Sequence, residues 1–206
     1  MKSMGKGFLL VFVSVYLCCC ADSGSKKKST TTDSITAASS PKACVDKHQD
    51  SLLICDEFRS RFESKNFLCV ISYSNECPIA KSYIATIKSL VQRFGDTVQF
   101  CLLDPGVGSR PISGLEELLF HDNRGIICGR FGIKVYPQVV VYDCLTRSNI
   151  YSGKIDDRVV SLGVISKRAT KNYLSDVLDN VILGKSNFVA SNEAIGCFVG
   201  PFDDEK

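Results

Sequence analysis

The chain has 206 residues, 45% of them hydrophobic and 23% charged, enough for one domain with a sizeable core and too apolar for disorder throughout. Its net charge of +3 is local: residues 1–42 hold six Lys against Asp22 and Asp33, and +3 overall less +4 there leaves −1 for the rest, too neutral for a nucleic-acid footprint. Eleven Cys spread over this length do not make a small disulfide scaffold, and two His leave little room for a His-rich metal site.

Residues 1–20 open with Lys2 and Lys6, continue as an apolar run from Gly7 to Leu17 and end in Cys18-Cys19-Cys20. A basic start, about a dozen apolar residues and small residues after them predict an export signal. The run is shorter than the roughly 20 residues of a membrane span. Leu17-Cys18-Cys19-Cys20 resembles the end of a bacterial lipoprotein signal, with Cys20 as the acylated residue; Cys stands at the two preceding positions where Ala or Gly is usual. A plain secretory signal is the alternative. Residues 21–42, rich in Ser, Thr and Lys, cannot bury enough surface to fold and read as a flexible tether. The expected plan is a lipid anchor in the bacterial cell envelope, a tether, an extracytoplasmic domain over residues 43–199, and a polar tail over residues 200–206.

Within the domain, Leu52, Cys55, Phe58 and Phe62 recur at helical spacing. Phe67–Tyr73 is a short, continuously apolar run, the pattern of a strand buried on both faces. Pro78 opens a long helix through Ile79, Tyr83, Ile87, Leu90 and Phe94, closed by Gly95. Val98–Leu103 is a second buried strand, and Leu115–Phe120 has the spacing of a short helix. Gln138–Tyr142 and Asn149–Ser152 predict an antiparallel hairpin, and Tyr173–Ile182 a final amphipathic helix ending at Gly184. A βαβ unit followed by a hairpin and a closing helix predicts an α/β sandwich with a central mixed sheet.

Cys77 stands where chemistry would be done. Pro78 at the first helical position makes Cys77 the helix N-cap, where unpaired N–H groups favour a thiolate; Glu76 beside it opposes that effect. A buried structural cysteine is the alternative. Cys69, Cys101, Cys128 and Cys144 lie in or beside apolar runs and read as packing. Cys44 and Cys55 are open to pairing with each other or with Cys197. A copper site is disfavoured, because Lys81 stands four residues after Cys77 where a second thiolate would be needed. Asp156-Asp157-Arg158 either orders a loop or sets Arg158 near an anion. His121 is expected on the surface.

Strand, Cys77-Pro78, helix, strand, then Val135-Tyr136-Pro137 before a hairpin resembles the thioredoxin and peroxiredoxin superfamily, and within it a branch of exported redoxin-domain proteins. The pieces that carry the resemblance are Glu76-Cys77-Pro78-Ile79-Ala80 with Tyr83, Tyr151-x-Gly153-x-Ile155-Asp156-Asp157-Arg158, Ala169-Thr170, Leu174, Asp176, Leu178, Gly184 and Gly196-Cys197. They span roughly residues 66–199. The resemblance implies a three-layer thioredoxin-like sandwich and a cis Pro137 packed beside a reactive Cys77. Ser74 occupies the offset at which peroxiredoxins carry Thr or Ser, while Val70 stands where they have Pro; their Arg has candidates in Arg130, Arg147 and Arg158. Ala80 replaces the second Cys of thioredoxins, so a resolving cysteine must be remote. Cys197, beyond the last helix, is the candidate, with static packing as its alternative.

The activity so implied is reduction of a protein disulfide or a hydroperoxide by Cys77, with Ser74, Tyr136 and Arg158 as candidate substrate contacts. An external thiol would serve as reductant, and no cofactor or metal is required. The contrasting expectation is a non-catalytic thioredoxin-fold module that presents a surface to a partner or handles a metal.

Overall fold

The computed structural model describes residues 47–106, 108–185 and 190–200. The expected signal, Cys20, Cys44 and the tether lie outside the described residues. Among the described residues, no helix is long and apolar enough to cross a membrane.

Helix α1 (Lys47–Phe62) leads into strand β1 (Phe67–Ser72), then α2 (Pro78–Ser82), α3 (Ile84–Phe94) and β2 (Val98–Asp104). A 3-10 turn at Glu116–Leu118, β3 (Leu119–His121) and α4 (Ile126–Phe131) follow. Next come β4 (Val135–Tyr136), the hairpin β5 (Val139–Asp143) and β6 (Ser148–Gly153), and a second hairpin of β7 (Val159–Ser161) and β8 (Val164–Ile165). Helix α5 (Tyr173–Ile182) and β9 (Cys197–Phe198) complete the described chain.

The main sheet has the order β3-β2-β1-β5-β6. β1 is central, parallel to β2 from Phe67↔Val98 and antiparallel to β5 from Phe67↔Asp143. Side chains alternate between its faces. Cys69, Ile71, Phe100, Leu102, Val139, Val141 and Tyr151 join a core with α3 and α5. Leu68, Val70, Cys101, Leu103, Val140 and Tyr142 join a second core with α1 and α4. That two-sided burial is why β1 and β2 read as largely apolar runs, broken in β2 only by the half-buried Gln99 before Asp104. The result is an α/β three-layer sandwich of thioredoxin-like architecture, with a mixed central sheet and a C-terminal helix, as the sequence predicts; residues 201–206 of the expected polar tail lie outside the described residues.

The second core is aromatic. Phe58 and Phe62, a turn apart on α1, meet Phe120 edge-on at ring-centroid distances of 5.2 and 5.9 Å. This contact explains one departure from expectation. Leu115–Phe120 is not a helix: after the 3-10 turn, β3 pairs in parallel with β2 as Leu102↔Leu119 and Leu103↔Phe120. Leu119 enters one core and Phe120 the other, the period-two burial of a strand; in six residues that pattern also fits helical spacing.

The long helix after Pro78 is also interrupted, at Tyr83. The Tyr83 N–H donates to the Ala80 carbonyl at 3.1 Å, a tightened turn, while its buried hydroxyl donates to Asp156 Oδ1 at 2.5 Å. Arg158 lies over the same ring, 4.3 Å from its centroid, and donates to Asp156 Oδ2 at 2.7 Å and Thr86 Oγ1 at 2.9 Å. The break between α2 and α3 is thus anchored from the loop after β6. Helix α4, absent from the sequence reading, is bracketed by Gly125 and Gly132, both with positive φ; two turn-forming glycines seven residues apart read locally as a loop.

Candidate functional site

The site forms where β1 ends. The Tyr73 N–H still donates to the Leu103 carbonyl at 2.8 Å, and the chain then turns through Ser74–Glu76. Ser74 shapes that turn: its Oγ accepts the Glu76 N–H at 3.2 Å and its carbonyl accepts the Cys77 N–H at 3.2 Å. Cys77 is the N-cap of α2, with extended backbone (φ −84°, ψ 112°) and Pro at the next position. Its Sγ accepts the Ala80 N–H at 3.5 Å and its thiol donates to the Tyr136 carbonyl at 3.4 Å. The N-cap expectation therefore holds, on a helix of five residues. Cys77 is only 3% exposed.

Facing it is the Tyr136–Pro137 peptide bond, which is cis, as the resemblance implies. Ser72, at the end of β1, staples this loop: its Oγ donates to the Val135 carbonyl at 2.6 Å and accepts the Gln138 N–H at 2.8 Å. The Gln138 side chain completes the frame, accepting from the Lys134 N–H at 2.9 Å and donating to the Gly132 carbonyl at 3.1 Å. Neither residue was singled out from sequence. The available signal was a serine in an otherwise apolar strand and a glutamine after Pro137.

Cys197 arrives from 120 residues away along the chain. β9 pairs antiparallel with β4, Tyr136 opposite Cys197 and Val135 opposite Phe198, and the Val199 N–H donates to the Lys134 carbonyl at 2.9 Å. Gly196 makes this approach feasible, because a Cβ there would overlap the Tyr136 carbonyl oxygen and lie 2.6 Å from its carbon. Cys77 and Cys197 are both free thiols. Burial pushes the half-buried Cys197 thiol up to about 11, and its side-chain hydrogen bond with Cys77 adds to the rise. Both line a cavity of about 300 Å³ with Ser74, Glu76, Tyr136, Phe198 and Gly200.

Of the candidate residues, the fold gathers Ser74, Cys77, Tyr136, Pro137 and Cys197. Tyr136 presents its carbonyl to Cys77, and its buried hydroxyl donates to the Pro105 carbonyl at 3.4 Å. Arg158 is not among the cavity's lining residues, and its guanidinium is engaged by Asp156, Thr86 and the Tyr83 ring. Arg130 serves the second core, over the Phe131 and Tyr142 rings and 3.2 Å from Glu63. Asp157 holds the following loop: its carboxylate accepts the Thr170 and Lys171 N–H groups at 2.7 and 3.0 Å, and the Thr170 hydroxyl and those N–H groups lower it to about 2. His121 is exposed, with Nδ1 2.9 Å from Asp104 Oδ2.

The other thiols are packed. Cys69, Cys101 and Cys128 are fully buried, which pushes each well above the ordinary thiol range. Cys55 and Cys144 are free, half-buried and set against the second core, whereas Cys197 packs on the first. Among the described residues, no group of three or more His, Cys, Asp or Glu is placed to hold a metal ion.

The fold and this site define a class: a thioredoxin-like α/β domain with a buried helix-capping thiol, a cis-proline opposite and a second thiol on a paired strand. Comparison with protein-family models and with curated proteins found no match. The fold is similar to an uncharacterized conserved protein from Geobacillus kaustophilus, with a TM-score of 0.55 and 17% identity over 66% of this chain and 77% of that one. A hypothetical protein from Sinorhizobium meliloti 1021 aligns with a TM-score of 0.49 and 19% identity over 70% of this chain and 82% of its own. At 17% identity the first likeness is one of fold alone.

Proposed function

We propose that the chain is a thiol oxidoreductase of the thioredoxin and peroxiredoxin superfamily, with Cys77 as attacking thiol and Cys197 as resolving thiol. The observation that carries this is their convergence: two free cysteines 120 residues apart meet on the Tyr136 backbone beside a cis-proline and share one cavity. With a disulfide substrate, the Cys77 thiolate forms a mixed disulfide and expels one thiolate. Cys197, deprotonated as it reacts, then attacks the Cys77 sulfur and expels the second. With a hydroperoxide, Cys77 takes the terminal oxygen to become a sulfenic acid and an alcohol departs; condensation with the Cys197 thiol releases water. Both routes end in a Cys77–Cys197 disulfide, which an external dithiol returns to two thiols while becoming a disulfide itself. Ser74 shapes the turn that delivers Cys77, and Tyr136 fixes its thiol.

The domain would work tethered to a bacterial envelope membrane through acylated Cys20, a placement that labelling with a radioactive fatty acid in wild type and Cys20→Ala tests. For the chemistry, oxidant consumption is followed in wild type, Cys77→Ser and Cys197→Ser, with peptide mapping of the product. Expected are loss of consumption in Cys77→Ser and a Cys77–Cys197 cross-link in wild type. Unchanged consumption in Cys77→Ser refutes the assignment.

A further inference from the structure

Resting on Cys77 as the attacking thiol, we propose that β9 is a built-in strand that pairs with β4 in a two-stranded ribbon of its own and so closes the backbone edge of β4 beside Cys77. The oxidising substrate is then a low-molecular-weight disulfide or hydroperoxide, and not an extended protein segment. A polypeptide reaches a buried thiol most readily by adding as a strand to the nearest open edge, where its backbone groups find partners. Next to Cys77 that edge is Val135–Tyr136, whose carbonyl at 136 accepts the Cys77 thiol. The edge is occupied: Val135 faces Phe198, Tyr136 faces Cys197, and Lys134 accepts the Val199 N–H.

The occupant is fitted to the place. Gly196 lies so close to the Tyr136–Pro137 peptide that no side chain is admitted there. Phe198 is 79% exposed at the rim of the cavity, while Cys77 is 3% exposed. β9 is therefore a cover with one face on the site and one in solvent. What stays open is the cavity of about 300 Å³, at the small end of ligand sites. A protein disulfide must displace β9, and with it the resolving thiol. A small oxidant needs neither change.

Two variants open the edge without altering either cysteine: Gly196→Val, whose Cβ overlaps the Tyr136 carbonyl, and Val199→Pro, which deletes the N–H given to Lys134. The full chain is assayed for insulin-disulfide reduction, and for thiol oxidation by a small aromatic disulfide and by cumene hydroperoxide. Wild type should react with a small probe in a Cys77-dependent way, yet reduce insulin no faster than Cys77→Ser does. Each variant should raise insulin reduction by about tenfold or more, the factor for releasing a strand held by about 1.4 kcal/mol. Wild type that reduces insulin as fast as either variant overturns the role of β9 while leaving Cys77 as the attacking thiol. Wild type inert to both small probes overturns that assignment itself. Where a variant fails to fold, the wild-type comparison of insulin with the small probes still decides.

Discussion

Ser72→Ala tests the framework that holds the cis-proline against Cys77. Ser72 is fully buried, and its Oγ donates to Val135 at 2.6 Å and accepts from Gln138 at 2.8 Å. The Ser72 N–H to Gln138 carbonyl bond of 2.9 Å survives the substitution, so strand pairing persists and only the side-chain staple is lost. Each hydrogen bond contributes about 1 kcal/mol net, and a buried group left without a partner costs about 1–3 kcal/mol. With one amide and one carbonyl affected, the expected loss is about 2–4 kcal/mol. At a urea dependence of about 2 kcal/mol per molar for a domain of this size, the unfolding midpoint falls by roughly 1–2 M. Urea titration followed by circular dichroism measures it. A midpoint lowered by less than about 0.3 M would show that water or a shifted loop satisfies both groups, and that Ser72 is not the staple.

Three further outcomes follow from other parts of the molecule. Phe58→Ala removes a fully buried ring from the aromatic core and should cost about 3–5 kcal/mol in the same titration; a loss below 1 kcal/mol would mean that the core collapses around the gap. Tyr83→Phe deletes the 2.5 Å bond to the buried Asp156 carboxylate and should cost about 1.5–3 kcal/mol, with Asp156→Asn giving a loss of similar size if the two act together. Burial holds Cys69, Cys101 and Cys128 protonated and pushes Cys144 and Cys197 up to about 11. Unfolded thiols lose their protons near pH 8.5, so unfolding releases protons between there and pH 11. Stability is then full below about pH 8.5 and declines as pH rises; equal thermal midpoints at pH 7.5 and 10 would contradict it.

What could be read from the chain was what local pattern determines. β1 and β2 were legible because both faces are buried, with nothing polar in β1 before Ser72 and only the half-buried Gln99 in β2 before Asp104. Cys77 was legible because Pro78 marks the first turn whatever follows it. The break at Tyr83 was not, because it is imposed by Asp156 and Arg158, more than 70 residues away. β3 owes its form to pairing with Leu102 and Leu103, and α4 to glycines whose conformations depend on the surrounding fold. The motif pieces around Asp156 and Asp157 could be quoted as a pattern. Their use as anchors for the α2–α3 break and the loop at Thr170 appears only when the chain is folded. The partnership of Cys197 with Cys77 is the extreme case, resting on a two-residue strand register and on the missing side chain of Gly196.

That remoteness has a thermodynamic consequence for the proposed chemistry. Where two thiols lie one helical turn apart, the helix itself fixes their distance, and the fold elsewhere matters little to their pairing. Here the second thiol is delivered by β9, so disulfide formation and strand docking share one free energy. A cross-link closing a loop of about 120 residues would cost the unfolded chain roughly 4–5 kcal/mol in the loop-entropy account, a cost that folding has already met by docking β9 on β4. By reciprocity, whatever strengthens that docking favours the disulfide, and the disulfide in turn holds the strand down. The edge beside Cys77 would then be most firmly closed in the oxidised state and most readily opened in the reduced one. The backbone contacts of Val135, Tyr136 and Val199 would thereby set both how readily the pair is reduced and when the site admits anything larger than its cavity.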